Sequence, residues 1–350
     1  MDTQIVRIDL KDSASDALIA RAADIIKNGG LVVFPTETVY GLGADAESAE
    51  AAMKIYAAKG RPSDNPLIIH ISKPEDAEKY AYTNSLYYEL AKRYMPGELT
   101  VILKAKSTVP EQTRGGLPTV AIRCPRNRIA NRLIELSNRA IAAPSANLSG
   151  SPSPTHPTHV IDDMRGRVDM IIDGGECEVG LESTIVKIDD VAAPVLLRPG
   201  KITAEELSAV MPALSVADAV VAKLADNERV LSPGMKYRHY APKAPLTLID
   251  GDAEALLAYI KQNASESKTG VICYREDVEF FREMLPLAKV FDFGKREDEK
   301  TQAKRLFSIL RLTDKSDFEA IYAPMPSPSG LGLALYNRMI RAAAHKIIKL

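Results

Sequence analysis

The strongest constraint on the fold is a regular alternation of strand and helix patterns in the last third of the chain. Apolar segments predict strands at residues 246–249, 270–273, 290–293 and 320–323, and helical periodicity predicts helices at residues 253–260, 278–284, 301–310 and 333–347. Strands that alternate with helices in this way lie parallel in one sheet, with the helices on its faces. Residues 246–350 are therefore predicted to form a small, parallel, three-layer α/β domain. This domain has neither a GxGxxG nor a Walker motif, so its fold alone indicates no nucleotide site.

The first 210 residues follow a different pattern, with more strands than helices. Apolar segments predict strands at residues 5–8, 31–34, 67–71, 99–103, 119–123, 141–143, 170–172, 183–188 and 195–197, and helices are predicted at residues 13–30, 49–58, 86–94 and 129–136. This pattern indicates an α+β domain with a mixed sheet. The overall fold class is α/β, with domains at residues 1–210 and 246–350 that are joined by a linker at residues 211–245.

Composition limits the class of protein. The 350 residues are 46% hydrophobic and 26% charged, which provides enough apolar material for two domain cores. No window approaches the ~18 uninterrupted apolar residues of a membrane helix, and the start MDTQIVRIDLKD is unlike a signal peptide. We expect a cytoplasmic protein without a membrane segment. Cys124, Cys177 and Cys273 lack the paired spacing of zinc or redox motifs, so we expect reduced thiols, no disulfides and no bound zinc.

Charge is distributed unevenly along the chain. The net charge of −1 argues against a protein that mainly coats nucleic acid. Residues 101–150, however, contain eight lysines and arginines but two acidic residues. This basic segment suits a polyphosphate ligand or a patch for RNA. A solvated helix face accounts for Arg128, Arg132 and Arg139 equally well without any ligand.

The predicted strand at residues 31–34 ends in a series of polar residues. In the sequence LVVFPTETVYGLG, Pro35 cannot donate a hydrogen bond to a sheet, and Gly41 and Gly43 allow the backbone to turn sharply. Polar side chains at the exit of a strand often form binding sites in α/β proteins. A strand followed by an ordinary polar loop fits the same residues.

Three other segments carry groups that suit a ligand. Lys59 and Arg61 in the turn KGRP offer two cations to phosphate oxygens, although basic residues are also common at helix C-termini. The run PSANLSG at residues 144–150 offers hydroxyls and an amide beside small residues, and its alternative is an ordinary turn. His70 lies in an apolar strand, where a histidine is more often a core residue than a ligand.

A series of motifs along the chain resembles one protein family. The motifs are PTETVYGLG, KGRP..NPL..H, TVAIRCP, APSANLSG, ESTIV, LRPG and SPGMKYRHYAP, and they span residues 31–242. Together they resemble the long, two-domain form of the threonylcarbamoyl-AMP synthase family. The resemblance implies a YrdC-like catalytic domain, with a concave, positively lined cavity on a twisted mixed sheet, and a C-terminal Rossmann-like domain. It also implies that the segment at residues 232–242 is a lid.

The resemblance further implies an activity. L-Threonine, bicarbonate or CO2, and ATP with Mg2+ would give L-threonylcarbamoyl-AMP and pyrophosphate. This nucleotidyltransferase reaction is the first step in the threonylcarbamoyl modification of the adenosine beside the anticodon in tRNAs that read codons starting with A. The implied partners are these substrates and a downstream tRNA-modifying threonylcarbamoyl transferase complex, with room for a weak contact to tRNA. No metal ligand is expected from protein side chains.

The residues that match the family's binding positions form two sets. The threonine set is Thr36 or Thr38, His70, Arg123, Ala143 and Ser183. The ATP set is Lys59, Arg61, Asn65, Thr119, Ser145, Asn147, Ser153 and Arg198, with Tyr237 or Tyr240 from the lid segment. Lys59 and Arg61 would be the catalytic cations, and Arg123 suits bidentate binding of the threonine carboxylate.

Two alternatives stay open on the sequence alone. A carbamoyl-adenylate enzyme of metallocentre maturation resembles the first domain but carries zinc-finger segments, and the lack of paired cysteines argues against it. An RNA-binding module without adenylate-forming activity is supported by the basic segment and opposed by the nearly neutral total charge.

Overall fold

The computed structural model describes residues 2–12, 14–222 and 240–350. These residues form two compact units. The first contains residues 2–149, 153–178 and 182–222, and the second contains residues 150–152, 179–181 and 240–350. The domain limits of 1–210, 211–245 and 246–350 stay a prediction. Most of the predicted lid, residues 232–239, lies outside the described residues, and so does Tyr237.

The first unit is organised around an eleven-stranded sheet. Its strands are β1 (Gln4–Arg7), β2 (Val32–Phe34), β3 (Gly41–Asp45), β4 (Ile68–His70), β5 (Leu99–Lys104), β6 (Thr119–Arg123), β7 (Ile141–Ala142), β8 (Met170–Asp173), β9 (Thr184–Lys187), β10 (Val195–Arg198) and β11 (Ser215–Val216). They lie in the order β1-β8-β2-β3-β7-β4-β6-β5-β9-β10-β11. Strands β4 and β6 are parallel whereas β5 and β6 are antiparallel, so the sheet is mixed, as predicted.

The helices of the first unit are α1 (Ala14–Lys27), α2 (Ala49–Lys59), α3 (Ser85–Tyr94), α4 (Glu111–Arg114), α5 (Arg128–Ser137), α6 (Pro157–Met164) and α7 (Ala204–Ser208), with 3-10 turns at Pro74–Lys79 and Asp218–Val220. Two of them position site residues. Helix α2 ends at Lys59 because Gly60 adopts the left-handed conformation (φ 61°) that stops a helix. Helix α5 begins after Asn127, whose side chain accepts hydrogen bonds from the N–H groups of Ile129 and Ala130.

Both faces of the sheet are buried in the first unit. In β2, Val33 belongs to one hydrophobic core, whereas Val32 and Phe34 belong to another. Because side chains alternate along a strand, these two cores lie on opposite faces of the sheet. Polar side chains inside this sheet are removed from water and must therefore find partners there.

The prediction of a sharp turn at Gly41 and Gly43 is wrong. Both glycines belong to β3, which runs antiparallel to β2 with Val32 opposite Gly43. A side chain at Gly43 would place its Cβ 2.7 Å from Ile141 Cγ2 and 2.7 Å from a ring carbon of Phe34. Glycine here serves close packing inside the sheet, and the chain reverses earlier, at residues 35–40.

The second unit contains a five-stranded sheet with the order β14-β13-β15-β12-β16, and all of its pairs are parallel. The strands are β12 (Leu246–Asp250), β13 (Thr269–Cys273), β14 (Lys289–Asp292), β15 (Ala320–Pro324) and β16 (Ile347–Lys349). The helices are α8 (Ala253–Asn263), α9 (Val278–Met284), α10 (Glu299–Thr313) and α11 (Gly332–Ala342), with 3-10 turns at Glu266–Lys268 and Arg275–Asp277. The predicted parallel α/β domain is confirmed. The last helix is shorter than predicted because Ala344 and His345 have positive φ angles, and the chain then enters β16.

None of the described helices is long and apolar enough to cross a membrane. Cys124, Cys177 and Cys273 are buried free thiols. Burial raises the pKa of all three thiols, to about 12 for Cys124 and Cys273.

Candidate active site

The turn between β2 and β3 is held by the hydroxyl of Thr36. This oxygen accepts the N–H groups of Thr38 and Val39 at 3.2 Å and donates its proton to the carbonyl of Val39 at 2.6 Å. Because that proton is used, the 2.8 Å contact between the two threonine hydroxyls must have Thr38 as the donor. Thr36 therefore shapes the turn, and Thr38 is the threonine that continues toward the next strand.

Arg123 lies at the end of β6 and is bonded to this turn. Its Nη1 donates to Thr38 Oγ1 at 2.8 Å, its Nη2 donates to Glu37 Oε1 at 2.7 Å, and its Nε donates to the carbonyl of Gly97 at 3.2 Å. The second carboxylate oxygen of Glu37 accepts the N–H of Asn127 at 3.1 Å. The sequence analysis gives Glu37 no role, although it stands inside the PTETVYGLG motif. An acidic residue directly after a predicted apolar strand is the sequence signal that could have indicated it.

His70 stands beside Arg123, because the two residues are paired across the parallel strands β4 and β6. Burial, and then the positive charge of Arg123, lower the pKa of His70 to about 3, so the ring is neutral at ordinary pH. Its Nδ1 is 3.2 Å from the carbonyl of Ile68, which also accepts the N–H of Ala143 at 2.8 Å. The backbone of Ile141 is a second partner of the ring. Because a carbonyl only accepts, the tautomer that bonds to Ile68 has its proton on Nδ1 and leaves Nε2 as an acceptor.

Thr100, on β5, contacts Ser183, and Ser183 is bonded in turn to Arg198 of the ATP set. Its hydroxyl is 2.7 Å from the hydroxyl of Ser183. Arg198 donates from Nη2 to the same Ser183 hydroxyl at 3.1 Å and from Nε to the Ser183 carbonyl at 3.0 Å. Thr100 is also paired with Arg123 across β5 and β6. The sequence analysis missed Thr100, and the only sign of it was one polar residue within the strand LTVILK.

The ammonium of Lys59 joins the end of α2 to the PSANLSG run. It donates to the carbonyls of Ser145 and Asn147, the latter at 2.5 Å, and lies 3.4 Å from Asn147 Oδ1. The Ser145 hydroxyl donates to the same Oδ1 at 2.5 Å. Lys59 is buried. Three residues of the ATP set thus form one contact group.

The turn that follows Lys59 is held through backbone carbonyls. Arg61 Nη2 donates to the carbonyls of Asn65 and Pro66 at 3.2 Å and 3.0 Å. The hydroxyl of Tyr56 lies 3.1 Å from the Asn65 carbonyl and 3.0 Å from the Gln112 carbonyl. The buried Asn65 Oδ1 has no hydrogen-bond partner among the described residues. A buried acceptor of this kind is costly unless a water or a ligand donates to it.

Three further members of the ATP set have other partners or positions. Thr119 begins β6, at the opposite end of that strand from Arg123, which is a separation of roughly 13 Å. The hydroxyl of Ser153 donates to Glu182 Oε1 at 2.5 Å. Tyr240 is in the second unit, where its ring packs on Phe307 with ring centroids 5.1 Å apart. The contacts of Lys59 unite three residues of the ATP set, and the assignment of Thr119, Ser153 and Tyr240 to ATP stays a prediction.

One cavity in the first unit does not coincide with these residues. It has a volume of about 890 Å³ and is lined in part by Arg126, Arg128 and Arg132, but by none of the predicted binding residues. Arg126 is ion-paired with Glu98 and Glu178, and Arg132 is paired with Asp16 and Glu135. These two arginines of the basic segment are thus neutralised by carboxylates, and the polar contact groups are the better candidate site.

Comparison with known families covers both units. A family model described as telomere recombination matches residues 24–200. A second model, described as the C-terminal domain of threonylcarbamoyl-AMP synthase, matches residues 202–344.

Individual relatives match along the full length. A threonylcarbamoyl-AMP synthase of Pyrococcus abyssi (strain GE5 / Orsay) is 43% identical over 353 residues, covering 98% of this chain and 98% of the relative. One of Bacillus subtilis (strain 168) is 42% identical over 357 residues and covers 100% of both. The crystal structure of P. abyssi Sua5 complexed with L-threonine has a TM-score of 0.87 and 42% identity, covering 100% of both chains. The chain therefore belongs to the threonylcarbamoyl-AMP synthase family of nucleotidyltransferases, in the long form that includes the family's C-terminal domain.

Proposed function

We propose that the protein joins L-threonine, bicarbonate or CO2, and ATP into L-threonylcarbamoyl-AMP and pyrophosphate, with the residues described above as its active site. The observation that carries this proposal is the position of Arg123, a buried guanidinium that is fixed by the β2–β3 turn beside a neutral His70. The complex of P. abyssi Sua5 with L-threonine supports a threonine site in a protein of this family.

Arg123 binds the carboxylate of threonine in this proposal. A guanidinium and a carboxylate match each other as a pair of parallel hydrogen bonds, and burial strengthens the attraction. His70 offers the acceptor Nε2 to the threonine hydroxyl or amine. Thr38, Ala143 and Ser183 complete the wall, and the small side chain of Ala143 leaves room for the threonine methyl group.

Lys59, Arg61 and Arg198 supply the positive field for the triphosphate. Asn65, Thr119, Ser145, Asn147 and Ser153 are its polar partners, and Tyr237 or Tyr240 comes from the lid. Lys59 has a second task, because its contacts with residues 145 and 147 hold the PSANLSG run in place. Mg2+ would enter with ATP, and phosphate oxygens and water would be its ligands. Among the described residues, no cluster of histidine, cysteine, aspartate or glutamate that could hold a metal ion is present.

The reaction needs charge neutralisation and alignment more than an acid–base pair. The neutral amine of threonine attacks the carbon of CO2. A nitrogen–carbon bond forms, one carbon–oxygen π bond opens to give the carbamate oxygen, and the proton released from nitrogen passes to water. A carbamate oxygen then attacks the α-phosphorus in line, and the bond to pyrophosphate breaks. Because Ser183 contacts Arg198 directly, the proposed threonine and phosphate groups share one rigid wall, which brings the carbamate and the α-phosphate together.

The product's expected use is the modification of the adenosine beside the anticodon, through a separate threonylcarbamoyl transferase complex and in the cytoplasm. The product is an activated carbamate that water destroys, so a lid over the site favours transfer over loss.

The test is an assay with purified protein, ATP, labelled bicarbonate and threonine. We expect pyrophosphate and a labelled adenylate in equal amounts, and neither product without threonine. Tight, salt-sensitive RNA binding without pyrophosphate would favour the RNA-binding module instead. Replacement of bicarbonate by carbamoyl phosphate, with threonine omitted, tests the activity of the metallocentre enzymes, and no product is expected there.

A further inference from the structure

Glu37 forms a buried ion pair that none of the assignments above explains. The side chains of Glu37 and Arg123 are 2% and 5% exposed, and their charged atoms are 2.7 Å apart. Buried carboxylates are rare unless they are paired, and a pair of this kind adds little net stability compared with apolar residues. A reason other than stability is therefore needed for this glutamate.

Glu37 is itself fixed at two points. One oxygen accepts from Arg123 Nη2, and the other accepts from the N–H of Asn127 at the start of α5. The turn thus ties β6 to the first turn of a helix. Movement of the Glu37 carboxylate would break one of these two contacts.

The three contacts of Arg123 leave two N–H groups of its guanidinium for a ligand. A guanidinium has five N–H groups, and the described partners use one on Nε, one on Nη1 and one on Nη2. One N–H therefore stays available on each terminal nitrogen. Two such groups are what bidentate binding of a carboxylate requires.

Glu37 also sets the net charge around Arg123. With His70 neutral, the Arg123–Glu37 pair has no net charge. An α-amino acid also enters with no net charge, as a zwitterion, so the pair suits it better than it suits simple anions. A lone buried guanidinium would instead attract any anion, including bicarbonate and phosphate.

We infer that Glu37 is a positioning residue for threonine, which orients the Arg123 guanidinium toward the substrate carboxylate and balances its charge. This inference rests on the proposed function, because it assumes that Arg123 binds the threonine carboxylate.

The test compares Glu37→Gln with wild type in threonine binding by calorimetry and in pyrophosphate release. Glutamine keeps the size of the side chain but has only one acceptor oxygen, so it cannot satisfy both Arg123 and the Asn127 N–H. We expect the threonine Kd and KM to rise about ten- to a hundredfold, the ATP KM to change less than about twofold, and phosphate to become a competitive inhibitor against threonine.

Glu98→Gln is the matched control. Glu98 is also a buried carboxylate, with 8% side-chain exposure, and is bonded to Arg126 and Lys201. Its loss should lower thermal stability to a similar extent without separating the threonine KM from the ATP KM.

A second pair of variants covers the case in which Glu37→Gln does not fold. Asn127 has a φ of −61°, which proline also adopts. Asn127→Ala removes the helix cap but keeps the N–H, whereas Asn127→Pro removes both. A higher threonine Kd in the proline variant than in the alanine variant would isolate the contact with Glu37.

Several results would overturn the inference. These are an unchanged threonine Kd in Glu37→Gln, an equal rise in both KM values, or the same separation in Glu98→Gln. Failure of the proposed function looks different, because wild type would then release no pyrophosphate. A lower threonine affinity of Glu37→Gln in calorimetry would still support the inference in that case.

Discussion

The two sheets of this protein differ in how deeply the polar residues at their strand ends are buried. In the first unit, buried polar side chains reach across strands, as Arg123 does to Thr38 and Thr100 does to Ser183. In the second unit, the cavity at the carboxyl ends of the strands is only about 10 Å³, enough for about one water molecule. Parallel α/β sheets commonly bind ligands at this edge. The comparison teaches that topology supplies an edge, whereas a site also requires polar groups that hold one another in place.

The largest expected effect is that of Arg123→Met. It leaves the Glu37 carboxylate buried without its partner, which costs about 3–5 kcal/mol of stability, and it removes the proposed carboxylate ligand. We expect threonine-dependent pyrophosphate release to fall at least about a hundredfold.

The control for Arg123 is Arg296→Met at the strand ends of the second unit. Arg296 is 51% exposed, paired with Asp277 and 4.4 Å from the ring of Tyr274. Its loss should change the free energy of unfolding by less than about 1 kcal/mol and leave activity intact. Comparable losses of activity in Arg123→Met and Arg296→Met would contradict the difference between the two sheets.

Lys59→Met should have the second largest effect. The variant loses the ammonium that holds residues 145 and 147, together with a proposed phosphate contact. We expect kcat/KM for ATP to fall about a hundredfold, measured by pyrophosphate release at saturating threonine. Lys268→Met, which removes an exposed pair with Asp317 in the second unit, is the control. If Lys59→Met raises the KM for threonine but not the KM for ATP, the assignment of Lys59 to the ATP set is wrong.

Thr100→Val should have a smaller effect. Valine keeps the shape but removes the hydroxyl that contacts Ser183, and a buried polar group without its partner costs about 1–3 kcal/mol. Because Ser183 also contacts Arg198, we expect the KM values of threonine and ATP to rise together by about three- to tenfold. Thr100→Ser, which keeps the hydroxyl, should have KM values for threonine and ATP close to those of wild type. Thr247→Val, at a buried position on β12, should alter stability alone, and a change in KM there would contradict the comparison.

The smallest effect at neutral pH concerns His70. The folded protein holds the pKa of His70 at about 3, below the usual 6.5. Above pH 6.5 both folded and unfolded states are neutral at this residue. As the pH falls from 6.5 toward 3, only the unfolded state gains the proton, so stability declines by about 1.4 kcal/mol per pH unit.

Urea unfolding of wild type and His70→Gln at pH 7 and pH 5 measures this contribution. The stability of wild type should decline relative to the variant at the lower pH, and threonine binding by wild type should not show the titration of a histidine near pH 6.5. His156→Gln, at an exposed position, is the control. A parallel decline in wild type and His70→Gln would show that His70 is protonated in the folded protein.

The sequence predicted much of the fold and less of the site. Apolar patterns found the parallel sheet, since each strand and helix there has its own local signal. The strand β3 was missed because Gly41 and Gly43 indicate a turn unless Phe34 and Ile141 are known to pack against them.

The sequence predicted which kinds of side chain form the site, but it did not predict which residues contact one another. Glu37 and Arg123 are 86 positions apart in the sequence, and no local pattern predicts that they pair. The partners of Lys59 include backbone carbonyls, which every residue has and which the sequence therefore cannot distinguish.

Two buried cysteine thiols lie near the residues that are proposed to bind threonine. A carbamoyl-adenylate is an electrophile, and thiolates are among the side chains that electrophiles attack first. Cys177 lies close enough to the β2–β3 turn for Glu37 and Thr36 to influence it, yet burial raises its pKa and keeps it protonated. Cys124, directly after Arg123, is held as a thiol by burial as well. The enzyme would thus handle an acylating agent next to sulfur atoms that do not react with it.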